Sequence, residues 1–253
     1  MKIVLAVLVT LYFNNHLLKG QVSDNETSGM YAIKKTSQRV VIDGVLDDES
    51  WEKAGEVRLN YFYRDGMPTS GPATTCKMLW DDEYIYASFF AKDQFLTATE
   101  KKRDGAPFED DCGELFLTPL PVQDRMHFGF EVNLYKASND FIFIYDYYPG
   151  SFASIKSYNP DFEVAFTMDG TLNDNSDIDK GWSMEMAIPL NLFFLVGPFS
   201  EVKAGTKWMF QLLRQNRDEL TVGNRTSCTL FPCKDPVGDV HSPSSMGLLV
   251  FEE

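Results

Sequence analysis

A succession of short apolar and aromatic segments, each closed by turn-forming residues, restricts this 253-residue chain to an all-β fold. In His127–Leu134 the residues Phe128, Phe130, Val132 and Leu134 fall on one face, and His127, Gly129, Glu131 and Asn133 on the other. That period of two is the mark of a strand with two different environments. Tyr84–Ala91 is apolar or aromatic on both faces and reads as a central strand. Glu114–Thr118 stops at Pro119, which has no N–H to give to a ladder. Phe141–Tyr145, Phe162–Phe166, Trp182–Ile188, Trp208–Leu213 and Gly247–Phe251 continue the series, with turn-rich stretches such as Asp169-Gly170 between them. Helical patterning is confined to Asp48–Ala54 and Leu190–Leu195. The expected architecture is a two-sheet antiparallel β-sandwich, jelly-roll-like, with one or two short helices.

The chain opens with Met1-Lys2 and an apolar run from Ile3 to Phe13, the pattern of a secretory signal. That run falls short of the roughly 20 residues a membrane span requires. Residues 1–20 are therefore expected to be a signal peptide, 21–32 a loose mature N-terminus, and 33–253 one sandwich domain. A secreted or periplasmic location follows. The full chain carries a net charge of −14, and losing Lys2 and Lys19 while keeping all 37 acidic residues makes it −16. Such a surface repels nucleic acid and anionic membranes, and leaves neutral glycans and divalent cations as compatible partners.

Export also bears on the cysteines. Cys228 and Cys233 flank Phe231-Pro232 closely enough for a loop disulfide, while Cys76 and Cys112 sit in strand-like sequence as small buried thiols. Asn25-Glu26-Thr27 and Asn224-Arg225-Thr226 fit the glycosylation pattern of a eukaryotic secreted chain.

Four motifs narrow the reading further: Ile42-Asp43-Gly44-Val45-Leu46-Asp47-Asp48-Glu49-Ser50-Trp51, Leu79-Trp80-Asp81-Asp82-Glu83-Tyr84, Cys112-Gly113-Glu114-Leu115-Phe116-Leu117, and Gly181-Trp182-Ser183-Met184-Glu185-Met186-Ala187-Ile188-Pro189. In this order they resemble the family 9 carbohydrate-binding modules, sugar-binding sandwiches often attached to xylanases and also found as separate secreted proteins. The resemblance spans about residues 33–251 and implies non-catalytic glycan binding in polysaccharide catabolism, beside glycoside hydrolases encoded elsewhere. It assigns Phe108 to stacking on a pyranose face and Glu114 to accepting sugar hydroxyls, with Asn133, Arg214 and His241 as further pocket residues. Sugars present C–H groups to a ring face and vicinal hydroxyls to a carboxylate's two oxygens, which is why these residue types suit the task.

Each assignment has a structural alternative. Phe108 can cover a sheet edge, Arg214 can pair with Glu114, and His241 can simply hold its loop. Two departures from the family pattern stand out. Glu131 occupies a position where sugar-binding members tend to carry arginine, and Val240 one where they carry a second clamping tryptophan. The resemblance also allows a structural calcium, with Asp43 and Asp47 as candidate ligands. The four tryptophans, Trp51, Trp80, Trp182 and Trp208, are expected in the core rather than on a sugar. Competing readings are a sandwich reduced to protein interaction, a haem-binding electron-transfer sandwich using Met and His, and a glycoside hydrolase.

Overall fold

The computed structural model describes residues 29–253, apart from 63–66, 68–72, 120–123, 148–150, 197–200, 221–224 and 237. The expected signal peptide and both glycosylation asparagines lie outside the described residues. Fourteen strands follow in order: β1 (Met30–Lys35), β2 (Val57–Arg58), β3 (Tyr61–Phe62), β4 (Thr74–Trp80), β5 (Tyr84–Lys92), β6 (Cys112–Thr118) and β7 (Met126–Asn133). They continue with β8 (Ser138–Tyr145), β9 (Phe152–Ile155), β10 (Glu163–Asp169), β11 (Gly181–Pro189), β12 (Lys207–Arg217), β13 (Arg225–Thr229) and β14 (Gly247–Glu252). Both expected helical segments are single short 3-10 stretches, Glu49–Glu52 and Leu190–Val196.

The ladder runs β10-β11-β5-β4-β1-β14-β12-β6-β7-β8-β9 and doubles over, so that its two halves face each other across the core. Pairing is antiparallel except at the seam, where β1 lies parallel to both β14 and β4. The fold is therefore mixed rather than wholly antiparallel. Met30–Ala32 pair with Leu248–Val250, so among the described residues the first strand already includes positions ahead of the expected boundary at residue 33. Among the described residues no helix is long and apolar enough to cross a membrane.

The core is aromatic. Phe193 meets Trp208 edge-on with centroids 4.9 Å apart, and Trp208 meets Phe251 at 5.0 Å. All four tryptophans are buried, as expected. Two smaller apolar clusters sit on the outer faces of the halves. One contains Trp51, Leu79 and Tyr86 beneath the segment 40–54; the other contains Phe116, Phe141, Phe143 and Val240.

Glu185 on β11 fixes the first of these outer layers. Its carboxylate accepts Asp43 N–H at 3.1 Å, Gly44 N–H at 2.9 Å and Trp51 Nε1–H at 2.7 Å. Gly44 has φ +88°, and an added Cβ would lie 2.5 Å from the Phe166 carbonyl carbon. Glycine at this turn is thus required twice, by conformation and by space. Glu185→Ala is expected to lower the unfolding free energy by about 3 kcal/mol, because three donors lose one charged acceptor. Urea titration monitored by tryptophan fluorescence measures it.

Candidate functional site

Strand alternation gives the β12-β6-β7-β8-β9 half a second lined face. Inward residues such as Leu115, Phe128, Phe130, Phe210 and Leu212 enter the core. Residues of the other parity face outward, and the register places Glu114, Glu131 and Asn139 side by side on neighbouring strands. Phe116, Gly129 and Phe141 form the adjacent row. A Cβ at Gly129 would sit 2.2 Å from Phe141 Cζ, so glycine lets that ring lie flat on the sheet.

A cavity of about 380 Å³ opens over these rows. Its polar floor is Glu114, Glu131, Asn139 and Gln215, and its apolar wall includes Phe141, Phe143 and Phe152. Lys156 and Arg225 stand at its edge, together with Phe108, Asp239, Val240 and His241. Gln215 Nε2 donates to Glu114 Oε1 at 2.7 Å, and Asn139 Nδ2 donates to Glu131 Oε2 at 2.7 Å. Burial pushes Glu114 from its ordinary value of 4.5 up to about 7. Glu131 is raised well above the usual carboxylate range, by burial first and then by the neighbouring Glu114.

An aromatic stack closes one side. His241 lies over Phe143 at 4.3 Å and over Phe116 at 4.9 Å. Its Nδ1 meets His127 Nε2 at 3.1 Å, with the two rings within 7° of parallel. Desolvation lowers both histidines, His241 from 6.5 to about 4, so both are neutral at pH 7. Phe152, largely exposed, stacks on Phe143 at 5.1 Å and extends the wall outward.

Three of the five expected pocket residues meet here: Phe108, Glu114 and His241. Phe108 also accepts a hydrogen bond from Arg225 Nη1 at its carbonyl, 2.6 Å away. Asn133 and Arg214 are elsewhere. Asn133 is buried, donating to Glu100 O and Asp110 Oδ2 at 2.8 Å each and accepting Tyr135 N–H and Ala137 N–H. All four of its hydrogen-bonding positions are taken by protein, leaving none for a ligand. Arg214 has the parity of Phe210 and Leu212 and points into the core. It pairs with Asp93 at 2.6 Å, not with Glu114, and donates to Thr74 Oγ1 and Lys92 O on the opposite half. The next residue, Gln215, is the one that faces the cavity.

Phe141, Phe143 and Phe152 line the cavity without being among the expected pocket residues. Alternating aromatics at 141, 143 and 145 were the available signal, since a period of two puts them on the face shared with Glu131 and His127. The expected loop disulfide is corrected. Cys228 and Cys233 are free thiols, the latter 3.1 Å from Ser245 Oγ, while Cys76 and Cys112 are buried thiols as expected. Asp43 Oδ1 accepts Val45 N–H, and among the described residues no three His, Cys, Asp or Glu side chains converge on a metal position. The haem reading is not favoured, since His127 and His241 turn ring nitrogens toward each other.

A β-sandwich with a recessed, aromatic-walled site on one sheet face defines a ligand-binding module. The chain belongs to the family described as Carbohydrate family 9 binding domain-like, whose profile matches residues 42–252. Among solved structures it is similar to a Bacteroides uniformis protein put forward as carbohydrate-binding (TM-score 0.68, 17% identity, covering 88% of this chain and 99% of that one). It is also similar to a family 9 carbohydrate-binding module of Caldicellulosiruptor kristjanssonii solved with cellotriose (TM-score 0.58, 18% identity, 88% of this chain and 94% of that one). A curated relative, exoglucanase XynX of Acetivibrio thermocellus, is 34% identical over 77 residues, covering 30% of this chain and 6% of the enzyme.

Two variants separate the roles of neighbouring site and core residues. Arg214→Ala leaves Asp93 buried and unpaired, and is expected to cost about 3–5 kcal/mol of stability in chemical denaturation. Glu114→Gln keeps an acceptor for Gln215 and removes a buried acid. A carboxylate whose folded value exceeds its unfolded one costs stability that grows as pH rises from about 4.5 to about 7. The glutamine variant should therefore gain roughly 2–3 kcal/mol at pH 7 and lose that advantage near pH 4, read from denaturation curves at both.

Proposed function

We propose that the cavity on the β6-β7-β8 face binds a saccharide without cleaving it. One observation carries the reading. In a family 9 chain, two buried carboxylates lie on adjacent strands beside an aromatic wall, in a recess of about 380 Å³. Carboxylates accept vicinal hydroxyls, and ring faces receive the C–H groups of a pyranose. The recess has room for about one or two sugar rings, judged against ordinary ligand pockets of 300–1,000 Å³. Glu114 and Glu131 are the hydroxyl acceptors in this reading. Phe152, largely exposed, supplies the stacking surface with Phe143 and His241 stacked behind it, and Phe108 closes the rim.

The relative solved with cellotriose makes β-linked glucose the natural first ligand to try. The same reading places the protein outside the cell, exported by residues 1–20 and serving glycoside hydrolases encoded elsewhere, with xylan as a further candidate polymer.

Calorimetric titration with glucose, cellobiose and xylobiose tests the proposal. Saturable binding is expected, weakened about tenfold by Glu114→Gln above pH 7, where the ionised acid's charge-assisted hydrogen bond becomes a neutral one. Phe143→Ala should weaken it as well. Absence of heat with a broad saccharide panel overturns the reading.

A further inference from the structure

The floor of the cavity is unbalanced in its hydrogen-bonding groups. Glu114 and Glu131 each receive one donor from within the described residues, and those donors are the amide nitrogens of Gln215 and Asn139. Asn139 is only 3% exposed, yet among the described residues its Oδ1 has no hydrogen-bond partner. Glu114, Glu131 and Asn139 Oδ1 thus sit side by side on β6, β7 and β8 with the nearest amide donors already spent, and a bound cation would offset the burial that raises both acids. An unmet acceptor buried at this depth costs free energy that a ligand donor recovers.

A neutral hydroxyl offers one donor, whereas an ammonium group offers three donors, no acceptor and a positive charge. The wall favours the same choice, because the exposed ring of Phe152 offers a face that attracts a cation. The cations already near the site, Lys156 and Arg225, do not satisfy Asn139 Oδ1. Glu131 places a second acidic side chain on the floor, directly opposite Glu114.

We infer that this site selects amino sugars, glycan residues carrying a free protonated amine, over their neutral counterparts. The amine would be held among Glu114, Glu131 and Asn139 Oδ1 while the pyranose stacks on the aromatic wall. This inference rests on the saccharide-binding reading above and names its substrate class.

The test is calorimetric titration of the full chain at pH 7 with glucosamine, its β-1,4-linked dimer, glucose, cellobiose and N-acetylglucosamine. The free amine is expected to bind about tenfold or more tighter than glucose, and N-acetylation should remove the gain. Glu131→Gln should bring glucosamine and glucose to similar affinity. A second measurement needs no variant: raising the pH until the sugar amine is deprotonated should erase the preference. The cavity's own titrating and charged groups, Glu114, Glu131, Asp239, His241, Lys156 and Arg225, are followed by the glucose titration at the same pH values. Equal affinity for glucosamine and glucose, or a preference that survives N-acetylation, overturns the inference and leaves saccharide binding standing. No binding to any of these sugars or to the wider panel overturns both.

Discussion

The period of two along β6, β7, β8 and β12 is the constraint on which the rest depends. Each of these strands is buried on both sides, so each must satisfy two interiors at once. One parity supplies apolar side chains to the core between the sheet halves, as Leu115, Phe128 and Leu212 do. The other parity supplies the cavity floor and its aromatic wall. A slip of one residue would exchange core for site, so register and function are specified by the same alternation.

Polar groups within this scheme divide by what they hold. Arg214 and Asp93 tie the two halves together from inside, with Thr74 Oγ1 and Lys92 O taking further guanidinium donors. Glu185 anchors the Asp43–Trp51 segment over the far sheet. Asn133 braces the 100–110 loop through Glu100 and Asp110. Glu114, Glu131 and Asn139 keep acceptor capacity on the cavity floor. Their placement carries an electrostatic cost, seen in the raised carboxylates, of the kind that binding sites keep at the expense of stability.

Much of the fold was legible in the residues. Alternation located the strands and Pro119 the end of β6, and the ordered motifs carried the family. The site was legible in part. Glu114 and His241 could be placed because their motifs are local, and Phe108 because it precedes one. Arg214 misled, since an arginine in an otherwise apolar strand reads as a pocket residue unless its parity is compared with Phe210 and Leu212. Asn133 shares the outward parity of Glu131, yet a turn at the end of β7 consumes it.

By itself the sequence determined an all-β fold with buried tryptophans and an acidic surface, because periodicity and turn chemistry act over a few residues, and its ordered motifs carried the resemblance to family 9. Tertiary structure alone decided which polar residues face open space. That choice depends on pairing among strands distant in sequence: β6 beside β7 and β12, with Val240 and His241 brought in from a loop about a hundred residues later. No local pattern encodes whether a carboxylate's partner will be an arginine, an amide or a cavity. The seam of parallel pairing at β1 was likewise invisible, because a strand's direction relative to its neighbours is a property of the closed sheet.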